Sequence, residues 1–292
     1  MTVATIAPAG RDFGTDLLRT TVRPLPVGGY RWRRSVGTLA PTPFVPALDD
    51  VVVALPAPGP VRWVAGVPDG DARTYHVRGD HAVAGRLLRD GPDAALAPIL
   101  HGLGRALRHL HDQPVPAGVG THRPRGFTRL TTWLDGRSPQ PRTAYAESLL
   151  LPRLGVDALR RIRAYTERIA TAPAVLCHGA PGLGSLVPAE ADPTEADALI
   201  GEDLCAAPWE YDLGWVLGEL VELQWYRGGD RPAWQRLITA LLDGYGRDLG
   251  DRWQEWVAFR VLLHIHDYTA YVGWESDVFA RYTGFARYLL SS

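Results

Sequence analysis

Apolar residues follow two regimes: short β-branched runs up to about residue 95, and helical repeats beyond it. The first stretch is broken by Pro24, Pro26, Gly28 and Gly29, by Pro41, Pro43 and Pro46, and by Pro56, Pro58 and Pro60. No helix runs through such spacing. The runs at 51–55, 61–67 and 74–77, the last two around the turn Asp69-Gly70-Asp71, predict a small antiparallel sheet. From Ala94 the period changes: Leu96, Ile99, Leu100, Leu103, Leu107 and Leu110 mark a helix that ends before Pro114. A loop-rich stretch follows, most irregular at 121–125 and 138–141. Helical repeats return at 156–171, 212–226, 232–245, 252–272 and 276–290, with Asp212 as the N-cap or N-terminal charge complement of the second of these.

Between these helices the order is strand (174–177), glycine loop, strand, polar hairpin (188–197), strand (198–203). Loops held between strands are common places for chemistry. The chain divides into a β-rich lobe over 1–95 and a helical lobe over 96–292, an α+β architecture.

Composition narrows the chemistry. All 31 basic residues are Arg, and neither Lys nor Asn occurs in the 292 residues. The Arg, Ala, Gly and Pro excess is that of a GC-rich, actinobacterium-like genome. Lysine Schiff bases and amine nucleophiles are excluded, and so is a lysine on nucleotide phosphates. A net charge of −1 argues against nucleic acid or an anionic membrane surface as partner. Cys177 and Cys205 lie in apolar runs, which fits reduced thiols. With no basic start or cleavage-like pattern, and no apolar run of about 20 residues, the expected location is the cytoplasm.

Three motifs carry a resemblance. They are His178-Gly179-Ala180 with Ser185 five residues beyond Ala180, Leu199-Ile200-Gly201-Glu202-Asp203, and Pro208-Trp209-Glu210-Tyr211-Asp212-Leu213. Over about 100–290 the chain resembles the aminoglycoside phosphotransferases and choline kinases, relatives of the protein kinases. The resemblance implies a two-lobed kinase-like fold, with a catalytic loop at 178–185 and a metal-loop equivalent at 199–204. ATP and magnesium would be the cofactors.

The departures bear on function. Where the family has its aspartate base this chain has Ala180, and Ser185 stands for the magnesium-binding Asn. The metal-binding Asp falls on Ile200 or Gly201, and the phosphate lysine falls near Ala54 or on Arg78. His178 is expected to be a structural hydrogen-bonder rather than an acid or base. Glu202 and Asp203 are the remaining candidate magnesium ligands, the alternative being a turn cap and an Arg partner. Gly182 and Gly184, with Gly179, could form an anion-binding nest of amides. Phosphoryl transfer depends on positioning and charge neutralisation by the replaced groups. The expectation is therefore a degenerate, pseudokinase-type subunit that binds a peptide or small molecule, or docks a partner such as a lyase. A bacterial specialised-metabolite pathway, including ribosomal peptide natural products, is the expected setting. The alternative is an atypical ATP-dependent phosphotransferase acting on a hydroxyl.

Overall fold

A computed structural model describes residues 10–46, 59–119 and 123–291. Strands β1 (Arg11–Gly14), β2 (Leu18–Pro24), β3 (Tyr30–Val36), β5 (Val67–Asp69) and β6 (Ala72–Val77) form one antiparallel sheet in the order β1-β2-β3-β6-β5. An antiparallel sheet is present as expected, but of the three runs only 74–77 and Val67 belong to it; 61–65 form a strand that pairs elsewhere, and the run at 51–55 lies outside the described residues. Strands β1 to β3 were not anticipated.

Strand β4 (Val61–Ala65) leaves this sheet and pairs in parallel with β9 (Ala196–Ile200), placing Trp63 opposite Ala198. β9 also pairs antiparallel with β8 (Leu186–Pro188). A third, two-stranded sheet joins β7 (Val175–Cys177) to β10 (Cys205–Ala207), with Cys177 opposite Cys205. The strand expected over 198–203 is therefore shifted. It ends at Ile200, because Gly201 turns the chain with a φ of 116°.

Ten helices carry the rest of the described chain. They are α1 (Val83–Asp90), α2 (Ala97–His111), α3 (Arg125–Leu134), α4 (Pro141–Ser148), α5 (Leu150–Leu154), α6 (Val156–Thr171), α7 (Trp209–Arg227), α8 (Arg231–Tyr245), α9 (Trp253–Tyr271) and α10 (Ser276–Ser291). The expected repeat at 156–171 matches α6. The loop-rich stretch is instead filled by α3, α4 and α5, and Pro141 is tolerated because it sits in the first turn of α4. α7 begins three residues before Asp212, so that residue is not its cap but lies in the first turn, where an acidic charge complements the helix N-terminus.

Two cores result. The large one gathers α2, α7, α8 and α9 around side chains such as Leu103, Leu217, Leu241 and Val261. α2 and α8 approach so closely that a Cβ on Gly244 would lie 2.0 Å from the His101 carbonyl oxygen. The small core is one buried cluster of Val22, Trp32, Tyr75, Val77, Val187 and Leu199. It fills the space between the five-stranded sheet and the β8–β9 hairpin. No described helix is long and apolar enough to cross a membrane.

Candidate functional site

The loop 178–185 leaves β7 and is fixed from below by α7. Asp212, fully buried, accepts from the backbone N–H of His178 at 2.6 Å and of Gly179 at 3.0 Å. Its Oδ2 also lies 3.1 Å from His111 Nε2, whose Nδ1 meets the Tyr245 hydroxyl at 2.9 Å. Asp212 is therefore the anchor of the loop, a role hidden from a one-dimensional reading. A buried carboxylate with three donors is well satisfied, and each bond to it carries charge assistance.

His178 is held at both nitrogens. Nε2 lies 2.7 Å from the Leu199 carbonyl, and Nδ1 accepts from the Ala180 N–H at 3.3 Å. A ring committed in this way orients the loop against β9 and has no nitrogen left for proton transfer. Gly179 is required at its position. Its φ is 87°, and a Cβ there would meet the Asp203 carbonyl oxygen at 1.9 Å. That contact seats the loop directly on 201–203.

Most of the loop amides are already engaged. The Gly182 N–H donates to Ala180 O, Leu183 N–H to Glu219 at 2.6 Å, and Ser185 N–H to Gly182 O. With Gly179 on Asp212 as well, the amides of Gly179 and Gly182 serve loop closure. Gly182 and Gly184 line the cleft beside Ala180.

That cleft, a cavity of about 200 Å³, brings together Ala180, Ser185, Glu202 and Asp203. It also contains a residue with no local signal in the sequence: Arg34, on β3. Its Nη1 donates to Ser185 Oγ at 3.0 Å, and its Nε lies 3.3 Å from Glu202 Oε1. The Tyr75 hydroxyl donates to the same carboxylate at 2.7 Å. Burial, with Glu202 adding to it, pushes the Tyr75 phenol well above its ordinary value, so it remains a donor. Asp203 is paired with Arg125 Nη1 at 3.0 Å. Nearby, Asp267 receives both Nε and Nη2 of Arg129, at 2.9 and 2.8 Å. Burial alone would raise the Asp267 carboxyl, but Arg129 and His266 outweigh it and hold it below the usual range.

These pairings decide the fit of a divalent cation. Magnesium needs carboxylate oxygens that are not already neutralised. Here an Arg already answers each of the two expected ligands, Glu202 and Asp203, and the Ser185 hydroxyl takes a guanidinium hydrogen bond. Ile200, the other candidate position, is buried and apolar, and Gly201 has no side chain. The residues present do not fit a magnesium site. Arg78, the weak phosphate candidate, lies past the end of β6. It is bound to Asp197 at 2.9 Å and to Glu195, away from Ser185 and Glu202. Ala54, its alternative, lies outside the described residues.

A second group of ligand types, His111, Cys177 and Asp212, converges in the core. His111 and Asp212 are already bonded to each other, and the Cys177 thiol points at the Ala207 and Pro208 carbonyls. Burial pushes that thiol up, away from the thiolate a metal would need.

Above the cleft the same strand contributes Trp32, two residues before Arg34 and on the same face of β3. The indole is 1% exposed and its Nε1–H donates at 3.0 Å to the carbonyl of Gly79, in the segment linking β6 to α1. Phe13 packs edge-on against it with ring centroids 6.1 Å apart.

No family model matches the sequence, and no curated protein does. Solved structures do match over nearly the whole chain. A thermostable mutant of the aminoglycoside phosphotransferase APH(4)-Ia aligns with a TM-score of 0.60 at 10% identity, covering 97% of this chain and 94% of its own. The amicoumacin kinase hAmiN, solved with AMP-PNP, Ca2+ and Ami, gives 0.58 at 13% identity, covering 97% and 88%. The choline kinase LicA from Streptococcus pneumoniae gives 0.57 at 10% identity, covering 96% and 94%. The chain has the two-lobed, kinase-like α+β fold seen in aminoglycoside phosphotransferases and choline kinases.

Proposed function

We propose that this chain is a non-catalytic member of the kinase-like fold, a pseudokinase-type subunit that binds a ligand or docks a partner. The single observation that carries the reading is the Arg34 bridge inside the cleft, supported by the buried Trp32 on the same strand. Trp32 fills the slot between the sheet and the β8–β9 hairpin and takes the linker carbonyl, while Arg34 bridges Ser185 and Glu202. A planar base entering that slot would have to displace a buried indole and compete for the Gly79 carbonyl. The polyphosphate and its metal would have to displace a guanidinium already paired with carboxylate. Ala180 adds to this, because it offers no acceptor for a substrate hydroxyl proton.

The setting we propose is a bacterial specialised-metabolite pathway, with a precursor peptide or small molecule as ligand and a lyase-type enzyme as partner. Titration of the purified protein with Mg-ATP by calorimetry tests the reading directly. The expected result is no heat of binding and no thermal shift. Metal-dependent ATP binding that disappears in Glu202→Ala/Asp203→Ala would overturn it in favour of an atypical phosphotransferase.

A further inference from the structure

Adjoining the cleft, with Phe44, Arg125 and Arg129 lining both, lies a cavity of about 350 Å³, bounded by the segment 41–46, by α3, by the loop before α4 and by the end of α9. Its walls are apolar and aromatic, set by Pro43, Phe44 and Tyr271. Three arginines, Arg123, Arg125 and Arg129, line it, and no carboxylate does among the described residues. Two of the three spend their charge towards the neighbouring cleft, Arg125 on Asp203 and Arg129 on Asp267. Arg123 is exposed at the rim and pairs with no carboxylate among the described residues. In the wall, Ser138 Oγ is buried without a hydrogen-bond partner. An unmet buried hydroxyl calls for an explanation, and a χ1 rotation that brings it to a ligand oxygen would supply one.

The geometry points to a site for a small organic anion, a carboxylate or phosphate monoester on an aromatic body. The volume lies within the range of small-molecule sites. The body would stack among Phe44, Pro43 and Tyr271, and the anionic head would meet Arg123, with Ser138 donating to one of its oxygens. A cationic amine in the same cavity would meet the Arg123 guanidinium and, among the described residues, no carboxylate in the lining to receive it. This assignment rests on the reading of the chain as a binding subunit, and it gives that reading a ligand class.

Phenyl phosphate is the test probe, measured by calorimetry and thermal shift on the full chain, with choline, benzyl alcohol and inorganic phosphate in parallel. Phenyl phosphate is expected to bind and to raise the melting temperature, and the other three to do neither. Arg123→Gln, an exposed change that leaves the fold intact, should weaken phenyl phosphate by about tenfold, the value of one charge-assisted hydrogen bond. Ser138→Ala should weaken it several-fold. Choline or inorganic phosphate binding as tightly as phenyl phosphate would overturn the assignment. So would affinity unchanged in Arg123→Gln, or the absence of phenyl phosphate binding to the wild type. Phenyl phosphate binding together with Mg-ATP binding would uphold the cavity and overturn only the non-catalytic reading.

Discussion

The Trp32 indole N–H and the Gly79 carbonyl meet at 3.0 Å inside the seam between the sheet and the helical lobe. Trp32→Ala should remove both this bond and a large buried ring, costing about 3–5 kcal/mol. Added indole should then raise the melting temperature of the variant and leave the wild type unchanged. A variant that melts like the wild type would remove Trp32 from its role as a plug.

Arg34 and Glu202 are both largely shielded from water, at 11% and 8% side-chain exposure. Removing one partner of such a pair leaves a buried charge behind. Arg34→Ala and Glu202→Ala should each cost about 3 kcal/mol in urea unfolding. The double variant should cost clearly less than their sum, by about 1–3 kcal/mol. Strict additivity would mean that the pair is not coupled.

Asp212 holds two backbone N–H groups that have no other acceptor. Asp212→Ala should cost about 3 kcal/mol or more, because each orphaned buried donor costs about 1–3 kcal/mol. Asp212→Asn retains one acceptor oxygen and should lose less. Amide hydrogen exchange at His178 and Gly179 should accelerate in both variants, and protection equal to wild type would refute the anchoring role.

Acid titration should expose the Arg129–Asp267 pair. The folded-state carboxyl of Asp267 titrates below its unfolded value, so between the two the unfolded chain binds more protons. Its stabilising contribution is complete above about pH 4 and fades as the pH falls through that window. The urea midpoint of the wild type should therefore drop more steeply below pH 4 than that of Asp267→Asn. Parallel slopes would contradict the pairing.

The helical lobe was readable wherever periodicity and punctuation agreed. At 156–171 the repeat of Leu159, Ile162, Tyr165 and Ile169 lies between Gly155 and Pro173, and the helix occupies that interval. The loop 178–185 was legible from its glycines between two apolar runs and from the motif resemblance carried by His178, Gly179 and Ser185. What escaped is non-local or charged. In β3 the sequence Tyr-Arg-Trp-Arg-Arg-Ser-Val does not alternate cleanly, since Arg34 faces inward and reads on paper as a surface charge. Its partner Ser185 lies 151 positions away, with nothing nearby in sequence to mark the pair. The anchoring role of Asp212 escaped for the same reason, because its donors come from a loop 33 and 34 residues earlier. Helices α3 to α5 are short and lie among irregular segments such as 138–141, so no long apolar period marks them in the sequence.

The parallel pairing of β4 with β9 has a bearing on how the chain comes together in time. Val61 meets Ala196 only after more than a hundred intervening residues exist. A nascent chain that has made just its first strands can close the five-stranded sheet but must leave β4 without a neighbour. Such distant pairing is slow to form. Synthesis would thus pass through a stage with one bare strand exposed, and a chain severed near residue 95 would keep that defect in both pieces. Co-expression of the two pieces should restore what neither has alone.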